Sequence, residues 1–130
     1  MSETQDSFSS YDGSCHCGQV SFTAQLSSPI GEQVVNTCNC SICSINAYIM
    51  VYVQKANLTF HNSDDAVKEY RFGTMKYPHG FCPNCGTSVY LRALDGEYKD
   101  IVAVNGRTLK DVDFSTMKIE ELNGKRINAG

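Results

Sequence analysis

Apolar and polar positions alternate along several short stretches of this chain, with the two-residue period of a strand. Val20, Phe22 and Ala24 are apolar with polar neighbours between them, which places them on one face of an extended segment. Tyr48 to Val53 is a continuous β-prone run, apolar enough to be covered on both faces. Leu58 to Phe60, Val67 to Phe72, Ser88 to Leu91 and Ile101 to Val104 follow. Between them lie Asn-Ser-Asp-Asp at 62–65, a loop from Gly73 to Gly86, and Leu94 to Lys99. Asn123-Gly124 reads as a late tight turn. No stretch carries a convincing helical period, so short strands at this spacing predict an all-β, antiparallel fold and argue against a βαβ one.

A chain of 130 residues has room for one modest core. The expected organisation is a single domain over residues 11–123, with disordered tails at 1–10 and 124–130. Met1 to Ser10 is polar, without a basic start or an apolar run, so it does not read as a secretion signal. The longest apolar-rich stretch, Ala47 to Val53, is far shorter than the roughly 20 residues that cross a bilayer. A cytoplasmic protein with no membrane partner is expected. A net charge of -3 and a pI near 5.5 exclude the basic footprint of a nucleic-acid binder.

Seven cysteines change the picture, because in a reducing compartment so many thiols mean metal or catalysis sooner than disulfides. They fall into three clusters: Cys15-His16-Cys17, Cys38-Asn39-Cys40-Ser41-Ile42-Cys43 and Cys82-Pro83-Asn84-Cys85-Gly86. On an extended chain residues i and i+2 share a face, so Cys15 and Cys17 can grip one ion while His16 points away. In the last cluster the proline sets a tight turn and Gly86 permits a positive φ beyond the second thiolate, the pattern of a zinc knuckle. Keeping each cluster whole, four ligands are reached only by joining Cys15 and Cys17 with Cys82 and Cys85. Cys38, Cys40 and Cys43 remain. Four thiolates close a structural tetrahedron, whereas three leave a position for water, substrate or another side chain, as in catalytic zinc sites.

Other readings attach to the same residues. A lone C-x-x-C can be a redox dithiol, and an isolated cysteine is often a small buried apolar residue. Cys38, Cys40 and Cys43 can make a Cys₃His structural site if His61 or His79 joins them. His79, three residues before Cys82, can instead exchange a proton beside an open zinc. Tyr48, just past the middle cluster, can line a pocket or simply belong to the core.

With these stretches in view, the sequence resembles the glutathione-dependent formaldehyde-activating enzyme family, which shares its domain with centromere protein V. The residues that carry the resemblance are Gly13-Ser14-Cys15-His16-Cys17-Gly18-Gln19-Val20-Ser21-Phe22, Cys38 to Cys43, and His79-Gly80-Phe81-Cys82-Pro83-Asn84-Cys85-Gly86-Thr87. Val104-Asn105-Gly106-Arg107-Thr108-Leu109 matches more weakly. The resemblance implies an Mss4-like β-tent of short antiparallel sheets, a structural zinc on Cys15, Cys17, Cys82 and Cys85, and a catalytic zinc on Cys38, Cys40 and Cys43. One departure stands out: where the family usually carries a basic residue and then Gly-Ala after the middle cluster, this chain has Ser44-Ile45-Asn46-Ala47. Asn46 is expected to keep the left-handed turn, since asparagine tolerates that region better than other non-glycine residues.

The expected cofactor is therefore Zn²⁺, two ions per chain. Three thiolates leave zinc electron-rich and soft, which suits a substrate thiol as fourth ligand, and zinc favours the nucleophilic thiolate form. The expected activity is that of a carbon-sulfur lyase joining or separating glutathione, or a similar thiol, and a carbonyl carbon such as formaldehyde's. Cys38, Cys40, Cys43 and His79 are its candidate catalytic residues. The alternatives are a non-catalytic zinc module that binds a partner through its sheet, and an Mss4-like factor acting on small GTPases, which the fold alone does not license.

Overall fold

The computed structural model describes residues 9–39, 41–62 and 66–122. Ten strands and one short helix follow in chain order: β1 (Ser9–Ser14), β2 (Ser21–Leu26), β3 (Val35–Cys38), α1 (Ser41–Asn46), β4 (Met50–Gln54), β5 (Leu58–Phe60), β6 (Lys68–Tyr70), β7 (His79–Phe81), β8 (Ser88–Arg92), β9 (Ile101–Asn105) and β10 (Ile119–Leu122). They form a three-stranded sheet, β1-β2-β5, and a seven-stranded sheet, β10-β3-β4-β9-β8-β7-β6. All neighbours are antiparallel except β10 and β3, which run parallel. The all-β expectation holds, with the small antiparallel sheets of the β-tent.

Alternation along the strands builds the core. Phe22, Ala24 and Leu26 point inward from β2, and Val51, Val53, Val89, Val102 and Val104 point inward from the larger sheet; all are buried in one cluster. Each such side chain contributes about 1.5–3 kcal/mol through burial. The opposite face of the larger sheet carries Met50 and Tyr52 on β4, Ala103 on β9 and Leu91 on β8. In the pairing register Tyr52 lies opposite Ala103, Ala103 opposite Leu91, and Leu91 opposite His79, so these four share one face of one rung. The run from Tyr48 to Val53 is thus buried on both faces from Tyr48 to Val51, while Tyr52 is 37% exposed.

Several expectations need correcting. The Gly73–Gly86 loop contains a strand, β7. The pair β10–β3 and the edge strand β1 have too little alternation to be visible beforehand. Ser9 and Ser10, placed in the N-terminal tail, pair with Gln25 and Leu26 in β1. The rest of that tail, the C-terminal tail and the Asn123-Gly124 turn lie outside the described residues. The end of the middle cluster, Ser41 to Cys43, begins α1, a six-residue helix that is too short to display a period.

The far edge of the larger sheet is tied by a half-buried ion network. Glu69 on β6 is aligned with Gly80 on β7 and then Tyr90 on β8. A Cβ on Gly80 would collide with the Tyr90 ring, so the glycine lets that ring lie across β7. Tyr90 Oη then donates to Glu69 Oε2 at 2.7 Å, and Arg92 grips the carboxylate with Nε at 2.6 Å and Nη2 at 2.8 Å. Arg92, helped by the Tyr90 hydroxyl, holds the Glu69 carboxyl down at about 2. A depressed carboxyl pKa stabilises the fold above its ordinary value of 4.5, and that contribution disappears as pH falls through the folded value. Wild type should therefore melt above Glu69→Gln at neutral pH, with the gap in Tm closing between about pH 4.5 and about pH 2. A gap independent of pH in thermal melts would show that the carboxylate charge is not what Glu69 contributes.

Candidate metal centres and the aromatic cleft

Cys15 and Cys17 lie just beyond β1, and Cys82 and Cys85 in the turn between β7 and β8. The four sulfurs all lie within 4.8 Å of one another. Cys15 and Cys17 Sγ are 3.6 Å apart, and Cys17 and Cys82 Sγ 3.8 Å. A tetrahedron of zinc–sulfur bonds of about 2.3 Å has edges of about 3.8 Å, so the spacing fits the ion. The extended segment expected for Cys15 and Cys17 is instead a turn, closed by Cys15 N–H donating to Val20 O at 3.0 Å and Gly18 N–H to Cys15 O at 3.2 Å. The second pair repeats the device: Cys82 N–H donates to Thr87 O at 2.9 Å and Gly86 N–H to Cys82 O at 2.8 Å, with Gly86 at φ 82°.

Peptide groups in both turns aim at the sulfurs. Val20 N–H reaches Cys15 Sγ at 3.2 Å, Gln19 N–H reaches Cys17 Sγ at 3.4 Å, and Asn84 and Cys85 N–H reach Cys82 Sγ at 3.4 and 3.5 Å. Cys85 Sγ is 3.2 Å from Thr87 Oγ1, which also accepts from His16 N–H at 3.1 Å; His16 itself is exposed. Contacts of this kind favour thiolates. Thr87, through its hydroxyl and its peptide group, holds the Cys85 thiol down at about 5. Asn84 and the Gln19 peptide lower Cys17, whereas burial raises Cys15. The donor set, its spacing and its N–H groups together suit a cysteine-bound zinc.

The middle cluster sits on the other face of the larger sheet. Cys38 ends β3 and Cys43 lies on the buried side of α1; Cys40 is outside the described residues. Cys43 packs with Tyr48, Met50 and Ala103, and Cys38, Ile42 and Leu91 cover that group. Cys38 and Cys43 both add to the field at Tyr52, whose phenol is pushed up to about 12, chiefly by burial. Tyr48 Oη is 3.2 Å from His79 Nδ1, and the rings stack at 5.9 Å. His79 is 5% exposed, and burial lowers its pKa to about 4, so the ring is neutral at pH 7. The register thus brings His79 to the face that carries the middle cluster. His61 stands on the three-stranded sheet, its Nε2 2.8 Å from Thr23 Oγ1.

The end of α1 is held by Asn46 and by Ser88, Asn105 and Arg107, the last three of which had no role in the sequence reading. The left-handed residue is Ala47, at φ 54°, not Asn46. Asn46 stays helical; its Nδ2 donates to Ile42 O at 3.2 Å and its Oδ1 accepts from Ser88 Oγ at 3.1 Å. The left-handed conformation costs a non-glycine residue roughly 1–2 kcal/mol. Arg107 offsets it, donating from Nε to Ala47 O at 2.7 Å. Arg107 is itself set by Asn105, whose Oδ1 accepts from Arg107 N–H at 3.2 Å while Nδ2 donates to Ser88 O at 2.8 Å. The signal was present in Asn105-Gly106-Arg107, whose turn chemistry predicts a tight bend; what it grips was not readable.

Beside the cluster opens a cleft of about 410 Å³ whose lining includes Met50, Tyr52, Leu91, Ala103, Tyr77 and Tyr98. Met50, Leu91 and Ala103 are shared with the packing around Cys43. An exposed tyrosine in the otherwise apolar run of β4 was the one hint of this cleft in the sequence.

A cysteine tetrad placed to staple two β-sheets defines an all-β protein with a candidate metal site. Residues 10–121 match the family model described as "Glutathione-dependent formaldehyde-activating enzyme", and the chain belongs to that family. The fold is similar to that in a crystal structure of a Rhodobacter sphaeroides protein, with a TM-score of 0.73 and 23% identity over 85% of this chain and 99% of that one. Among the described residues no helix is long and apolar enough to cross a membrane.

Structural zinc contributes on the order of 10 kcal/mol to folding in small metal domains, comparable with the whole net stability of about 5–15 kcal/mol. Cys82→Ser should therefore lose the cooperative melt and most of the bound metal, as read by circular dichroism and native mass spectrometry. A chelator added to wild type should have the same effect on the melt. An unchanged melt in both experiments would remove the tetrad from its structural role.

Proposed function

We propose that this protein is a zinc-dependent carbon-sulfur lyase that forms or cleaves adducts between a small thiol, glutathione or a relative, and a carbonyl carbon such as that of formaldehyde. Cys15, Cys17, Cys82 and Cys85 hold a structural zinc, and Cys38, Cys40 and Cys43 hold a second one with an open position. The observation that carries this reading is the convergence of Cys38, Cys43 and the Tyr48–His79 pair on one sheet face, beside a cleft of ligand size. When bound, the second ion supplies a soft site that favours the thiolate form of the substrate.

The protein's own residues hold and orient. Arg107 and Asn46 fix α1, and with it Cys43, against the sheet. In the forward direction the sulfur lone pair makes the new carbon-sulfur bond, the carbonyl π pair moves to oxygen, and oxygen takes up one proton while the thiol gives one up. The step is neutral overall, so its proton needs only a carrier. His79 is the candidate: neutral at pH 7 and hydrogen-bonded to Tyr48, it can accept the thiol's proton but holds no surplus one of its own.

The test uses the asymmetry between the two cysteine sets. Cobalt-substituted wild type should change its visible spectrum when glutathione or another small thiol is added. Cys43→Ala should lose that response and the second metal, while the first metal stays and Tm falls only modestly. A cobalt spectrum indifferent to every thiol, with Cys43→Ala unfolding as badly as Cys82→Ser, would leave a non-catalytic zinc module instead.

A further inference from the structure

The walls of the cleft say what fits it. Its floor is made by Met50, Leu91 and Ala103, the same side chains that back Cys43, and Tyr52 shares the rung of Ala103 and Leu91 in the sheet. Its sides include Tyr77 and Tyr98, on two loops clipped together by Leu94 N–H donating to Lys76 O at 3.0 Å and by the Lys76–Asp95 ion pair at 3.6 Å. Among the described residues lining the cleft, Arg92 alone is charged. Its guanidinium is already engaged twice by Glu69, at 2.6 and 2.8 Å. At the end of the cluster stand Ser44, Ile45, Asn46 and Ala47, none of them charged.

Two simple occupants fit these walls poorly. Formaldehyde has no side group, so it would leave an apolar cleft of about 410 Å³ filled with water. A carboxylate-bearing group such as the body of glutathione would lose hydration there without gaining a counter-charge, which costs several kcal/mol. An uncharged ring suits both the area and the chemistry, because tyrosine rings favour edge and offset contacts with another ring. An apolar cavity of about 150 Å³ takes one benzene, so this one has room for a substituted ring or a fused pair.

We propose that the cleft receives an uncharged aromatic group on the carbonyl reactant, so that the adduct handled here is built on an aryl aldehyde of one or two rings instead of on formaldehyde. The adduct chemistry rests on the lyase reading; the aromatic preference rests on the cleft alone. In the forward direction the thiol sulfur bonds to the aldehyde carbon and the aldehyde oxygen becomes a hydroxyl, with no oxidant or reductant involved.

Benzyl alcohol is an uncharged, unreactive probe of the cleft, and 4-(hydroxymethyl)benzoate is its charged counterpart. Calorimetric titration of the zinc-loaded full chain should show benzyl alcohol binding at least about tenfold tighter than the benzoate, a difference of about 1.4 kcal/mol. Ala103→Phe, which fills the floor, should weaken benzyl alcohol by a similar factor. Tyr98→Ala, on an exposed loop, removes a wall and carries the test if the first variant does not fold. Circular dichroism and zinc content establish that each variant is intact.

Equal binding of the two probes, or binding unchanged in a folded variant, overturns the aromatic cleft. A thiol response of the cobalt protein in the same preparations would then leave the lyase reading standing. Selective binding of benzyl alcohol together with a cobalt spectrum indifferent to thiols overturns the adduct. Selective binding, a thiol response and faster adduct formation with benzaldehyde than with formaldehyde support the proposal in full.

Discussion

The cysteine tetrad is the constraint on which the rest of the structure depends. Its two halves are some 65 residues apart, since Cys17 meets Cys82, and they belong to different sheets. The three-stranded sheet is too small to stand alone, and the valine layer that covers it comes from the larger sheet. Closing the tetrad therefore sets how the two sheets face each other, and the burial of Phe22, Ala24 and Leu26 follows. Both turns prepare for this by aiming peptide N–H groups at sulfur before any ion is considered.

The other face of the larger sheet is then free for chemistry. Its inward face is fully used by the core, yet the pleat also sends Met50, Tyr52, Leu91, Ala103 and His79 outward along one surface. The middle cluster and the cleft grow on that surface. Scaffold and candidate site are thus two sides of one sheet, so the valines that stabilise it also fix the spacing of the residues opposite them.

How much of this was legible depended on the range of the interaction. The strands β2 and β5 follow from local alternation and β9 from a short apolar run, and the grouping of Cys15 and Cys17 with Cys82 and Cys85 follows from spacing. Gly86 shows the positive φ that its place after Cys85 demanded. By contrast, α1 is too short to announce itself, and β10 pairs with β3 across some 84 residues through backbone groups that any sequence has. The left-handed position moved from Asn46 to Ala47 because Arg107, sixty residues on, stabilises it there. The cleft was hidden for the same reason: Tyr77 and Tyr98 meet only through the fold.

The pairing of β3 has a consequence for local stability. This strand meets β4 at a single register position, Asn36 with Met50, and its other neighbour, β10, is exposed along all four residues. Val35 anchors the start of β3 in the core, but little apolar area holds its Cys38 end, so opening there costs much less than global unfolding. Cys38 rides on the margin, whereas Cys43 is anchored through α1. A ligand bridging the two must first still the strand, and that ordering cost is subtracted from its affinity. The tetrad, closed between two rigid turns, bears no such cost. The two cysteine groupings thus differ in how firmly the fold holds them: the tetrad lies between two hydrogen-bonded turns, whereas Cys38 and Cys43 meet across a lightly paired strand end.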